Sequence, residues 1–75
     1  MCLIVYSPNG SPTDYAVMAE AQKDNPDGIG VMSRSGVRRF LGPKMLKRAV
    51  GYVAYLAGKA EPYAIHFRYA THGSK

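Results

Sequence analysis

The second residue of the chain is a cysteine, and its position could give it catalytic chemistry. Cys2 follows an initiator methionine, which is commonly removed when a small residue comes next. The thiol would then lie beside its own α-amine, whose reference pKa is about 7.7–8.0. A neutral amine can accept the thiol proton, so one residue would supply both nucleophile and base. The alternative interpretation is a small apolar side chain at the start of a strand.

A second group of polar residues comes near the end of the chain, in the run His-Phe-Arg-Tyr-Ala-Thr-His-Gly at residues 66–73. An arginine at a strand end, such as Arg68, can hold a carboxylate with two parallel hydrogen bonds. Thr71 and His72 add further donors beside it. The alternative interpretation is an edge strand with a basic tip.

A third stretch, Asn-Pro-Asp-Gly-Ile-Gly-Val at residues 25–31, has the glycines expected of a tight turn that leads into a strand. It is not a dinucleotide-binding fingerprint, because Ser33 stands where the third glycine is required. The lone cysteine and the two histidines, His66 and His72, do not provide a metal-ligand set at suitable spacing. The sequence therefore predicts no metal and no cofactor.

The elements that must position these residues follow from periodicity and turn signals. We predict the order β-α-β-β-α-β, which indicates an α+β fold in a single domain. The predicted elements are a strand at Cys2–Tyr6, a helix capped by Ser11 and running from Pro12 to about Lys23, hairpin strands at Ile29–Met32 and Gly36–Leu41, a helix from Pro43 to about Lys59, and a strand at Tyr63–Ala70.

Each of three elements has a predicted apolar face. In the first helix it comprises Tyr15, Met18, Ala19 and Gln22. In the second helix it comprises Leu46, Ala49, Val50, Val53 and Ala57, widened by Met45, Tyr52 and Leu56. In the last strand, alternation directs Ile65, Phe67 and Tyr69 to one side and His66, Arg68 and Ala70 to the other.

Composition narrows the class of protein. Apolar residues make up 47% of the 75 residues and charged residues 20%, which is typical of a globular chain. No apolar run approaches the roughly 20 residues that span a bilayer, and no signal-peptide pattern is present. A single cysteine excludes an internal disulfide and favours a reducing cytoplasm. We therefore expect a cytoplasmic protein without a membrane partner.

The chain carries a formal net charge of +5, and much of the excess is clustered. No acidic residue lies between Asp27 and Glu61, a stretch that contains Arg34, Arg38, Arg39, Lys44, Lys47 and Arg48. Such a patch can attract nucleic acid or acidic ligands, or it can simply be a solvated hairpin and helix face. No RNA-binding signature accompanies it, so we expect no nucleic-acid partner.

Together the three motifs resemble the class II glutamine amidotransferases, which belong to the N-terminal nucleophile (Ntn) hydrolases. Members begin Met-Cys followed by an apolar strand, as this chain does, and they carry His-x-Arg-aromatic-Ala-Thr-x-Gly, which residues 66–73 match throughout. Many also carry Asn-x-Asp-Gly-aromatic-Gly. Residues 25–30 are similar to that motif, with Ile29 at the aromatic position.

The resemblance implies that Cys2 attacks the side-chain amide of L-glutamine and that its α-amine transfers the proton. A thioester would form, ammonia would pass to a synthase or transferase domain or subunit, and water would release glutamate. Arg68 would pair with the α-carboxylate of glutamine. Thr71 and His72 would shape the same substrate pocket, and Tyr69 would flank it.

The fold that the resemblance implies is an αββα sandwich, of which residues 1–75 would be the N-terminal part, ending after the arginine strand. The asparagine-glycine pair of the oxyanion hole and the aspartate that binds the substrate amine should follow that strand. We therefore expect these 75 residues alone to have little or no glutaminase activity. One alternative is a small basic binding protein without catalysis, whose partner would be a protein or a nucleic acid bound by the basic cluster with Phe67 and Tyr69 as stacking groups. The other is a naturally short relative that lost catalysis and acts by protein contact.

Overall fold

The computed structural model describes residues 3–68, which form six elements in the predicted order β-α-β-β-α-β. They are β1 (Leu3–Ser7), α1 (Tyr15–Asp24), β2 (Gly28–Ser33), β3 (Gly36–Phe40), α2 (Met45–Gly58) and β4 (Tyr63–Arg68). The α+β class is confirmed. Neither of these helices is long and apolar enough to cross a membrane.

The strands form one antiparallel sheet in the order β1-β4-β2-β3. The last strand therefore lies inside the sheet, between the first strand and the hairpin. Leu3 lies opposite Phe67 across the β1–β4 pair, and Gly28 lies opposite Arg68 across the β2–β4 pair. Because β4 pairs on both sides, it aligns residues that are far apart in sequence.

Both helices cover the same face of the sheet. Alternate residues of the central strands point into this layer, and Ile65 and Phe67 are fully buried as predicted. One continuous core forms there, from Met18, Ala21, Ile29, Val31, Phe40, Met45, Ala49, Val53, Leu56, Tyr63, Ile65 and Phe67. No described element covers the opposite face, which we call the open face. Its residues include Ile4, Tyr6, Gly30, Met32, Val37, Arg39, Ala64, His66 and Arg68.

The first helix begins later than predicted. Asp14, not Ser11, is its N-cap, and the Asp14 side chain accepts a hydrogen bond of 3.0 Å from the backbone N–H of Ala16. The predicted apolar face was also partly wrong, because Met18 and Ala21 are the buried positions and Tyr15 is 58% exposed. Because the helix begins at Tyr15, the two side chains that it buries in the core are the flexible Met18 and the small Ala21.

The hairpin and the second helix lie close to their predicted bounds. β2 and β3 pair around Arg34 and Ser35, with Ser33 opposite Gly36. The apolar face of α2 is confirmed, although the fully buried positions are Met45, Ala49, Val53 and Leu56, while Leu46, Val50 and Tyr52 pack at its margin.

The segment before α1 is held against the start of β4 instead of being helical. The buried Tyr63 hydroxyl donates a hydrogen bond of 2.6 Å to the backbone oxygen of Ser11 and lies 2.8 Å from the Thr13 hydroxyl. Gly10 has a φ of +72°, and a Cβ there would lie 2.4 Å from the backbone carbon of Ala60. Only glycine fits this crossing of two chain segments.

We predict that Gly10→Ala lowers the free energy of unfolding by about 1–3 kcal/mol, because it combines backbone strain with a clash against backbone atoms. Urea denaturation followed by circular dichroism measures the change. Gly51→Ala is the matched control: Gly51 lies in α2 with open space where its Cβ would be, so this substitution should be neutral or stabilising. Equal urea concentrations at the unfolding midpoint for Gly10→Ala and Gly51→Ala would contradict the close packing at Gly10.

Candidate functional site

At one end of the sheet, strand pairing places residues that lie beside or within all three sequence motifs next to one another. Leu3, which follows Cys2 in the chain, is paired with Phe67, which precedes Arg68. On the other side of β4, Arg68 is paired with Gly28 of the glycine-containing turn. Positions about 64 and 40 residues apart along the chain therefore meet in adjacent strands, in the arrangement expected of a composite site.

The turn before β2 is anchored to this end of the sheet by backbone and side-chain hydrogen bonds. The backbone N–H of Asp27 donates to the carbonyl oxygen of Arg68 at 2.9 Å. Asn25 is buried, and its backbone N–H and its side-chain amide both donate to Ala21 O at 3.0 Å. The turn therefore holds the end of α1 against the start of β2. Asn25, its first residue, caps the C-terminus of the helix.

Arg68 and His66 lie on the open face, as alternation along β4 predicted. The Arg68 side chain is exposed, whereas His66 is half-buried. Their paired neighbours on β2 are Gly28 and Gly30, neither of which has a side chain. The sheet surface is therefore hollow beside the arginine.

This hollow is a cavity of about 120 Å³, which we call the glycine trough. It is lined by Gly28, Ile29, Gly30, Arg39, Leu41, His66 and Arg68. Over Gly30 the trough is open, since a Cβ there would have no neighbour within 4 Å. Over Gly28 the trough is closed by Leu41, whose Cδ2 atom would lie 2.9 Å from a Cβ at that position.

The trough has two walls that belong to different strands. His66 and Arg68 of β4 form one wall, and Arg39 of β3 lies on the other. Arg39 is paired with Gly30, which is paired in turn with His66, so the three lie in one row across the sheet. In the part of the chain that the structure describes, the side chains of Arg39 and His66 form no hydrogen bond or ion pair.

The clustered basic residues do not form one surface. Arg38 and Arg39 are adjacent in β3 and therefore point to opposite faces of the sheet. The Arg38 guanidinium lies 4.9 Å from the ring centroid of Tyr52 on the helix side, and that of Arg48 lies 5.8 Å from the Phe40 ring. Phe67, the aromatic side chain next to Arg68, is fully buried and cannot stack on a base.

Electrostatic coupling elsewhere involves Lys59, which follows α2. Its ammonium lies 3.2 Å from the Glu61 carboxylate and 3.4 Å from the Tyr55 hydroxyl. Hydrogen bonding to Glu61, and then to Tyr55, holds the pKa of Lys59 above its usual value of 10.5.

Residues 3–68 contain no group of three or more histidine, cysteine, aspartate or glutamate side chains that could hold a metal ion.

Of the predicted site residues, Arg68 lies in the described part of the chain and takes its expected place on the sheet. Cys2, Tyr69, Thr71 and His72 lie outside the described residues. Sequence reasoning missed Arg39 and Leu41 as wall residues of the trough. The spacing of Gly28 and Gly30 was the available signal, because glycines two residues apart in a strand leave one face bare.

No protein-family model, curated protein or solved structure matches this chain. The motifs, and the strand pairing that places residues beside or within them at one end of the sheet, are therefore the features that indicate a function.

We predict that Arg68→Gln changes the free energy of unfolding by less than about 0.5 kcal/mol, because the side chain is exposed. Phe67→Ala, one residue earlier and fully buried, should cost about 3–5 kcal/mol. Denaturant unfolding of both variants measures the contrast. A large loss of stability in Arg68→Gln would indicate that the arginine is a structural residue.

Proposed function

We propose that this chain carries the glutamine-binding and nucleophilic part of a class II glutamine amidotransferase. The observation that supports this most is that strand pairing places residues beside or within all three motifs together at one end of the sheet. The residue after Cys2 is paired with the residue before Arg68, and Arg68 is paired with Gly28 of the third motif. A thiol and a carboxylate-binding group that act on one small substrate require such closeness.

In the proposed reaction, the α-amine of Cys2 accepts the thiol proton and the sulfur attacks the side-chain amide carbon of glutamine. A carbon–sulfur bond forms, the carbon–nitrogen bond breaks, and the amine returns the proton to the departing ammonia. Water then adds to the thioester, breaks the carbon–sulfur bond and releases glutamate. Ammonia is passed to an accepting synthase or transferase. A retained Met1 would block the amine and prevent this reaction.

Arg68 has the role of holding the α-carboxylate. Its guanidinium is exposed on the open face, next to a trough that can admit a ligand. A planar guanidinium can donate two parallel hydrogen bonds to a carboxylate, which fixes the orientation of the substrate as well as its position. The substrate amide would then extend from Arg68 towards the β1 side of the sheet. Tyr69, Thr71 and His72, which follow Arg68 in sequence, complete the proposed pocket.

The same proposal accounts for the apolar character of the open face. Ile4 is 62% exposed, Tyr6 is 69% exposed and Val37 is 61% exposed, all on the side away from the helices. Exposed apolar side chains in this number on one sheet face are typical of a surface that another layer covers. A second sheet packed on the row that contains Tyr6, Met32 and Val37 would complete the αββα sandwich of the Ntn hydrolases. The trough lies further along the same strands, towards Arg68, and would stay open to a ligand.

A small basic binding protein is the alternative function. Nucleic-acid binding through the basic cluster should weaken steeply between about 50 and 200 mM salt, because it depends on phosphate contacts. The division of Arg38 and Arg39 between two faces and the burial of Phe67 count against a single stacking surface. The amidotransferase proposal uses the open face and needs no such surface.

A glutamine analogue with a diazoketone in place of the amide tests the proposal directly. We expect the thiol proton of Cys2 to pass to the diazo carbon and the sulfur to displace dinitrogen from that carbon. The resulting thioether is detected by intact-mass spectrometry together with removal of Met1. Cys2→Ala should abolish labelling, and Arg68→Gln should slow it about 10–100-fold through loss of the carboxylate contact. Arg34→Gln, in the hairpin turn, is the matched control for loss of one positive charge and should be labelled normally.

The result that would contradict the proposal is labelling that is equally fast in Arg68→Gln and Arg34→Gln. A diazoketone that lacks the α-carboxylate provides a second control. It should label the wild-type chain slowly and should lose nothing further from the Arg68 substitution.

A further inference from the structure

The glycine trough extends beyond Arg68 to a second arginine that the sequence motifs do not include. Gly30 lies between His66 and Arg39 in one row of the sheet. Because neighbouring strands are about 4.8 Å apart, the backbones that carry these two side chains are separated by about 10 Å. The missing side chain at Gly30 leaves that gap open to a ligand.

The charges that border the trough are of one sign. Arg39 and Arg68 contribute permanent positive charges, and His66 contributes an imidazole that can donate a hydrogen bond. Among residues 3–68, no acidic side chain lines the cavity. The apolar side chain of Leu41 closes the end over Gly28. A small anion is therefore the ligand class that this surface favours.

The volume of the trough limits the size of that anion. A cavity of about 120 Å³ holds one carboxylate and a few adjacent carbon atoms, and it is far smaller than typical pockets for drug-sized ligands. The open space above Gly30 allows a planar group to approach the sheet between the two walls. Arginine on either side of a carboxylate can donate to different oxygen lone pairs.

We propose that Arg39 is a second carboxylate-binding residue, which holds the ligand over Gly30 from the wall opposite Arg68. The identification of that ligand as glutamine rests on the proposed function, whereas the anion site itself does not. Arg39 lies on the side of Arg68 away from β1, so it is remote from the proposed thiol and determines affinity and specificity without taking part in the chemical step.

Binding of glutarate tests the site without catalysis, because glutarate has carboxylates but no amide. The probe is titrated into the ¹⁵N-labelled full chain, and the amide signals of Gly28 and Gly30 report occupancy. We expect Arg39→Gln and Arg68→Gln each to weaken binding about tenfold or more. Arg39→Lys should restore part of the affinity, since it keeps the charge but loses the bidentate geometry.

Two substitutions separate the trough from general charge effects. Arg38→Gln removes the same charge from the adjacent residue on the helix side, where Arg38 lies over Tyr52, and it should leave the dissociation constant unchanged. Gly30→Val fills the open floor without a Cβ clash and should abolish binding while the chain stays folded. Inorganic phosphate as a second probe tests whether the site selects carboxylates.

Equal affinities in Arg39→Gln and Arg38→Gln would overturn the role of Arg39, and so would phosphate binding in preference to glutarate. Absence of shifts at Gly28 and Gly30 would overturn the site altogether. If the anion site is present but the chain is not an amidotransferase, the result is different. Glutarate binding then depends on Arg39, and the diazoketone does not label Cys2. In labelling kinetics, Arg39→Gln should raise the concentration for half-maximal rate and leave the maximal rate unchanged.

Discussion

The pairing of β4 on both sides is the constraint on which the rest of the structure depends. It sets Phe67 opposite Leu3 and Arg68 opposite Gly28. A slip of one residue would move Phe67 out of the core and turn Arg68 towards the helices, because side chains alternate between faces. The burial of Phe67 therefore fixes the exposure of Arg68. Stability and the candidate site are specified by the same register.

The two faces of the sheet differ in composition because side chains alternate along each strand. The helix face excludes water and contains the core, whereas the open face has glycines where the core face has Ile29 and Val31. Arg38 and Arg39 show the same division, since one lies over Tyr52 and the other borders the trough. Residues that are adjacent in sequence can therefore be altered independently, which few surface clusters allow.

Periodicity and turn signals predicted the order and kind of the elements, since each is specified by local sequence. The start of α1 was predicted wrongly because Ser11 and Pro12 are good initiation signals that tertiary contacts override. The Tyr63 hydroxyl and the tight crossing at Gly10 hold that segment in a non-helical conformation instead. The trough could not be predicted, because it requires β4 to lie beside β2, and that pairing is nonlocal.

The proposed chemistry explains why an amine is needed in addition to a nearby arginine. A guanidinium near a thiol favours the thiolate, because it stabilises the negative charge. When the substrate carboxylate pairs with Arg68, that positive charge is largely neutralised at the moment of attack. A base within the same residue as the sulfur does not depend on the arginine and stays available when the substrate is bound.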